Sequence, residues 1–225
     1  NKDDNGVLGI IQPIGIAYRE DLVKKPPKSW KDLWENPEFQ NKTGLYTITN
    51  SAGMMFLLLI SKIYGGSEHK IDAGFEAIKK LQGFKQVDFS GTMEIMLTRG
   101  EIVTGPLDAP AVARLRSGGA KIAFVAPEEG VFMFEQDFNV LKGSKNKELA
   151  FKYINYILSR DIQEKWVREF FISPANRYVK IPAELKNDIT ITGEKMKSIL
   201  TWDWDAANDR RQDIIERWNK EISSK

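Results

Sequence analysis

Short apolar runs of strand length alternate with apolar positions spaced three to four residues apart along the first 129 residues. In residues 6–19, Val7, Leu8, Ile10, Ile11, Ile14, Ile16 and Tyr18 predict two short strands joined around Gln12-Pro13. Lys24-Lys25-Pro26-Pro27-Lys28 reads as a loop, because proline lacks the donor a ladder needs and favours extended backbone. Ser29 stands where an N-cap belongs, ahead of a short helix carrying Trp30, Leu33 and Trp34. Residues 44–49 fit a strand, and an apolar helix over 54–64 follows Asn50-Ser51-Ala52-Gly53 and stops at Gly65-Gly66. Phe75, Ile78 and Leu81 mark the next helix. Strands are expected at 87–89, 101–105 and 121–125. Helices are expected from Ser90-Gly91-Thr92 onward, with Met93, Met96 and Leu97 inside, and over 109–116, closed by Gly118-Gly119. This alternation is the pattern of an α/β domain with helices packed on a sheet.

Beyond Pro127-Glu128-Glu129-Gly130 the pattern changes. Residues 131–141 read as extended, and helices then dominate. Residues 146–158 set Leu149, Tyr153 and Ile157 in one row, with Ala150, Ile154 and Leu158 beside it. Ile162, Trp166 and Phe170 form the next row, and a last helix over 206–221 carries Ile214, Ile215 and Trp218. A boundary between two lobes is expected near residue 130.

The 225 residues suit one large domain or two small ones, and 42% hydrophobic with 28% charged residues is the make-up of a globular chain. Lys plus Arg (33) nearly balances Asp plus Glu (31), which argues against nucleic acid or an anionic membrane as the main partner. Cysteine is absent, so a disulfide scaffold, a Cys-ligated metal and a thiol nucleophile are excluded. The most hydrophobic run, residues 54–60, is far shorter than the ~18–20 apolar residues that span a bilayer, and reads as a buried helix. The opening Asn1-Lys2-Asp3-Asp4-Asn5 is unlike a signal peptide, and an export signal removed ahead of it leaves the compartment open.

Catalytic chemistry has little to work with. The single histidine, His69, sits in a polar turn, so Ser-His and Cys-His catalysis and the His-based zinc motifs lack their parts. The carboxylates Glu128-Glu129, Glu135 with Asp137, and Asp203 with Asp205 read as solvated faces and turn caps. No phosphate-binding loop and no dinucleotide fingerprint occurs. Thr49-Asn50-Ser51-Ala52-Gly53 places small residues and backbone N–H groups at a helix N-terminus, a place that suits an anion or a plain cap. Ser90-Gly91-Thr92 repeats the arrangement more weakly. Trp202 and Trp204 read as anchors of the last helix, and Phe132 and Phe134 as same-side residues of a strand entering a cleft.

Several stretches together resemble a known family. Gly15-Ile16-Ala17-Tyr18-Arg19-Glu20-Asp21-Leu22-Val23 and Pro27-Lys28-Ser29-Trp30-Lys31-Asp32-Leu33-Trp34 resemble the start of the second lobe in solute-binding proteins of bacterial ABC importers. Pro127-Glu128-Glu129-Gly130, Lys145-Asn146-Lys147-Glu148-Leu149-Ala150, Tyr153-Ile154-Asn155-Tyr156-Ile157-Leu158-Ser159 and Ser173-Pro174-Ala175-Asn176 follow in the same order. Trp202-Asp203-Trp204-Asp205 and Ile214-Ile215-Glu216-Arg217-Trp218 resemble the group's C-terminus. The group is the type 2 periplasmic-binding-protein fold that includes spermidine/putrescine, iron and thiamine binders.

The resemblance implies an α/β fold of one near-complete lobe and the helical C-terminal part of the other, with the N-terminal part of the first lobe lacking. Residues 1–14 would be a hinge or crossover, 15–129 the second lobe, and 130–225 the return crossover and the helical part of the first. It implies capture rather than catalysis: two lobes close on a solute by bending near Gln12-Pro13-Ile14 and residues 131–134, and present it to a membrane permease. Ligand contacts are expected from Gln12, Thr49, Asn50, Ser51, Gly53, Asp108, Phe134 and Gln136, with no metal and no cofactor. A small organic solute bearing a carboxylate, met by the helix terminus at Ser51 to Gly53, is the first expectation, and a polyamine the alternative. Gly105-Pro106-Leu107-Asp108 lacks the tyrosine pair that holds ferric iron. A periplasmic or lipid-anchored monomer is the family expectation. A metabolite-sensing effector domain and a transferase on the same architecture are the competing readings.

Overall fold

The computed structural model describes residues 6–81, 83–186, 197 and 199–223. Its organising element is one strand, β1 (Val7–Arg19), in place of the two expected around Gln12-Pro13. The C-terminal half of β1 pairs with β4 (Thr104–Asp108) on one edge, Ile14 opposite Asp108, and with β5 (Ile122–Val125) on the other, Ile16 opposite Val125. Its N-terminal half pairs with β6 (Phe132–Phe138) and, across two residues, with β7 (Ser173–Pro174). All four pairings are antiparallel. Ile14 pairs with both Asp108 and Phe132, so β4 and β6 lie on opposite edges of β1. Pro13 lies between the residues that β7 and β4 pair with, so its missing donor is accommodated without breaking the strand.

Beside β4 runs β2 (Gly44–Tyr46), joined by a parallel bridge from Thr43 to Thr104, and β3 (Lys85–Val87) pairs parallel with β2. Each is followed by a helix: β2 by α2 (Ser51–Ile63), β3 by α4 (Ser90–Arg99), β4 by α5 (Ala109–Ser117). A short α1 (Asp32–Glu35) precedes β2, and α3 (Asp72–Lys80) packs on α2. The turn at Gly65-Gly66 that ends α2 puts Gly65 at φ +89°, a region glycine enters without a Cβ penalty. Helix α2 is buried from Ala52 to Ser61, as its uninterrupted apolar run requires. No described helix is long and apolar enough to cross a membrane.

Ser29 caps the turn that leads into α1. Its hydroxyl accepts from Lys31 N–H and donates to Glu129, while Asp32 accepts the N–H groups of Lys28 and Ser29. Trp30 is fully buried, stacks on Phe132 at 5.7 Å and donates its indole N–H to the Gly130 carbonyl at 2.9 Å. These bonds seat the start of β6 on the α/β core.

After β6 come α6 (Lys147–Ile157) and α7 (Arg160–Phe170). Gln163 of α7 is fully buried and its amide is satisfied: it donates to the Gly9 and Ile157 carbonyls and accepts from Ala175 N–H. Of the predicted rows of α6, Ile157 is buried, Ala150, Ile154 and Leu158 are half-buried, and Leu149 and Tyr153 are exposed, as are Phe151 and Tyr156 outside those rows.

The last predicted helix is broken into α8 (Trp204–Asp209), α9 (Arg211–Trp218) and a π-helical turn, Asn219–Ser223. Its packing departs from the expected division at residue 130. Trp218 meets Phe75 edge-on at 6.3 Å and donates to Gln86, while Arg217 lies 4.1 Å over the Phe75 ring and pairs with Asp72 and Glu221. The tail therefore packs on α3 and β3, the part of the chain ahead of residue 130. On its way it passes β6, where Leu200 N–H donates to the Val131 carbonyl at 2.8 Å.

Candidate functional site

The parallel strands β2, β3 and β4 end on one side of their sheet, and each leads directly into a helix, so the N-termini of α2, α4 and α5 all lie there. In open α/β sheets, ligands sit outside the carboxyl ends of the strands. A cleft of about 450 Å³ opens at this place. One wall is Ser90 and Glu94 of α4 with Arg114 of α5; the facing wall is Trp166 and Phe170 of α7 with Ile172. Its floor is the crossover, where the Gln136 amide donates to the Gln12 side-chain carbonyl at 2.7 Å. The two walls come from elements on the two halves of β1, so the cleft lies across the strand that joins them.

At the inner end of this cleft is Asp108, only 7% exposed. It is the N-cap of α5 and accepts from Ala111 N–H at 2.9 Å, with Pro110 in the helix's first turn where no donor is needed. Burial pushes its carboxyl above the ordinary range, the nearby Glu94 adds to that, and the Ala111 hydrogen bond and Arg114 act in the opposite sense. The buried Tyr46 hydroxyl is pushed up for the same reasons, burial first and then the Asp108 and Glu94 charges. Glu94 is itself paired: Arg114 Nη2 donates to its carboxylate at 2.8 Å. Among the described residues lining the cleft, the charged ones are Glu94, Asp108 and Arg114. The cleft combines a recessed carboxylate with two aromatic rings in its lining, a set suited to holding a cation by charge and ring face together.

The sequence-predicted residues fall in three groups. Gln12, Asp108 and Gln136 line this cleft. Ser51 and Phe134 line a second cavity of about 400 Å³, with Met55, Glu135, Trp202 and Trp204. Thr49, Asn50 and Gly53 line neither cavity. Thr49 has its hydroxyl 3.2 Å from that of Thr47 and gives its carbonyl to Arg211. Asn50 caps α2, accepting from Ala52 N–H and donating to the Asp88 carbonyl. Gly53 faces the β2 backbone so closely that a Cβ there would lie 2.1 Å from the Thr47 carbonyl oxygen. The α2 terminus thus spends its Ala52 N–H on its own cap, which lessens what it can give an anion.

Glu94, Arg114, Trp166 and Phe170 were not among the predicted contacts. Glu94 and Arg114 are 20 residues apart on different helices, and Trp166 and Phe170 carry the spacing of core residues. Among the described residues no group of three or more His, Asp or Glu could hold a metal ion. His69 is exposed, 3.8 Å from Asp203, far from a catalytic setting.

Residues 2–193 match the family model described as bacterial extracellular solute-binding protein. The spermidine/putrescine-binding periplasmic protein of Salmonella typhimurium is 28% identical over 168 residues, 72% of this chain and 47% of the relative. Its Escherichia coli counterpart is 24% identical over 216 residues, 93% of this chain and 61% of the relative. The chain therefore spans about half to three-fifths of the length of these curated relatives. Among solved structures, an ABC transporter protein of Clostridium perfringens superposes with a TM-score of 0.81 at 27% identity, covering 98% of this chain and 70% of that one.

Proposed function

The chain belongs to the bacterial extracellular solute-binding protein family, and we propose that it is the solute-capturing part of an ABC importer, taking a small organic amine into the cleft between α4–α5 and α7. The observation that carries this reading is Asp108: a recessed carboxylate at the inner end of a cleft whose opposite wall is Trp166 and Phe170. An ammonium group entering there would relieve the cost of holding the carboxylate ionised away from water. The names of the relatives, which bind spermidine and putrescine, agree with an amine as the captured group.

In this reading the halves of the molecule bend about β1, β6 and the passage at Leu200, and the closed form is handed to a permease outside the cytoplasmic membrane by a periplasmic or lipid-anchored monomer. Residues 15–129 with the packed tail form one lobe. β6, α6, α7 and β7 belong to the other, where α6 exposes Leu149, Phe151, Tyr153 and Tyr156.

Thermal shift of the purified protein against butylamine, putrescine, acetate and glucose tests the reading. A ligand at one hundred times its Kd adds about 2.7 kcal/mol, which corresponds to roughly 5–10 °C for a chain of this size. Butylamine should raise Tm and acetate and glucose should not. A shift with acetate alone would refute the reading.

A further inference from the structure

We propose that Arg114 is a specificity-determining residue of this cleft: by neutralising Glu94 it leaves Asp108 as the one uncompensated carboxylate among the described residues that line it, so the cleft takes solutes with a single ammonium group and disfavours diamines. The inference rests on the reading of the cleft as an amine site and adds a limit to the number of positive charges it accepts.

The geometry is that of two neighbouring helices exchanging charge at the wall of the cleft. Glu94 of α4 has a side chain only 14% exposed, whereas Arg114 of α5 is 54% exposed and reaches Glu94 at 2.8 Å. The carboxylate thus faces inward and the guanidinium covers it from the solvent side. Charge-assisted pairs of this kind are short and directional, and arginine keeps its charge at any ordinary pH. Counting the charged side chains among the described residues that line the cleft, Glu94 and Arg114 cancel and Asp108 remains. The other groups on its surface that can meet a polar solute, Gln12, Gln136 and Ser90, are neutral. A first ammonium finds Asp108. A second would be desolvated beside a carboxylate already committed to Arg114, or close to the guanidinium itself, and either position costs binding free energy. Removing the guanidinium frees Glu94 as a second anionic partner.

The experiment compares butylamine with putrescine, which share a four-carbon chain and differ by one ammonium, by calorimetric titration of the purified wild type and three variants. Wild type should prefer butylamine. Arg114→Gln should move the butylamine-to-putrescine affinity ratio at least tenfold toward putrescine, and the double variant Arg114→Gln/Glu94→Gln should return it to near the wild-type value. Arg114→Lys, which keeps the positive charge and the fold, should leave the preference in place. An unmoved ratio in Arg114→Gln with amine binding retained overturns the inference while the amine site stands. So does a wild type that already prefers putrescine tenfold. Loss of all amine binding in a folded wild type refutes the amine site, and the inference falls with it.

Discussion

Replacing Asp108 by asparagine separates its two roles, because asparagine caps a helix about as well as aspartate but carries no charge. In the structure the capping bond goes from Ala111 N–H to one carboxylate oxygen at 2.9 Å, a bond the asparagine carbonyl can accept. The fold should therefore keep its cap and lose a buried charge whose ionisation is disfavoured. The sign follows from the direction of the shift. Burial raises the carboxyl's pKa in the folded protein, so its stabilising contribution belongs to the protonated form, is complete below the ordinary carboxylate range, and is lost as pH rises through the raised value. At neutral pH the variant should then be as stable as wild type or more so. Binding should suffer instead. A hydrogen bond to a charged group is worth ~1.5–3 kcal/mol, and at about 1.4 kcal/mol per tenfold this predicts a loss of roughly ten- to a hundredfold in amine affinity. Asp108→Ala should lose the same affinity and also about 0.5–2 kcal/mol of stability with the cap. Calorimetric titration and thermal melts at pH 7 read both quantities. An Asp108→Asn protein that binds amines as wild type does would refute the reasoning, whatever its stability.

Other outcomes follow from the same structure. Amine affinity should fall as pH is lowered, beginning above the ordinary carboxylate range, because Asp108 must be ionised to hold an ammonium; a titration series read against pH checks this. Gly53→Ala should destabilise by ~1–3 kcal/mol or more, since its Cβ would sit 2.1 Å from the Thr47 oxygen and 2.9 Å from the Tyr46 oxygen, and backbone is on both sides; denaturant melts measure it. Trp218→Ala removes a side chain 1% exposed together with its bond to Gln86, and should cost about 3–5 kcal/mol by the same assay. The tail should also loosen in acid. Lys79 and Arg217 hold the Glu221 carboxyl below its usual range, so its contribution is present above that range and lost as pH falls through the depressed value, which hydrogen exchange of residues 211–223 would reveal.

Much of this architecture can be read from apolar spacing. The helices over 51–63, 72–80, 90–99 and 109–117 lie where Met54 to Ile60, Phe75 with Ile78, Met93 with Leu97, and the Gly118-Gly119 stop place them. Gln12-Pro13 misled because proline usually ends a ladder, whereas here it falls where only β6 pairs with that stretch of β1. The cleft was legible in part. Gln12, Asp108 and Gln136 were reached through the resemblance of their segments to a family. Glu94 and Arg114 look like the charged faces of two unrelated helices, and only the packing of α4 beside α5 joins them. Trp166 and Phe170 share the i, i+4 spacing of a core row, and nothing local distinguishes a ring that lines a cleft from one inside a core. Amphipathic spacing marks Ile214 and Trp218 of the tail as buried, but does not say against what. Trp218 meets Phe75 and Gln86, more than a hundred residues earlier.

A crystal structure of the protein with butylamine bound would show where the amine sits. The ammonium should lie within hydrogen-bonding distance of the Asp108 carboxylate, with the alkyl chain against Trp166. Butylamine found instead in the cavity of Ser51, Glu135, Trp202 and Trp204, with the Asp108 cleft holding only solvent, would contradict that placement.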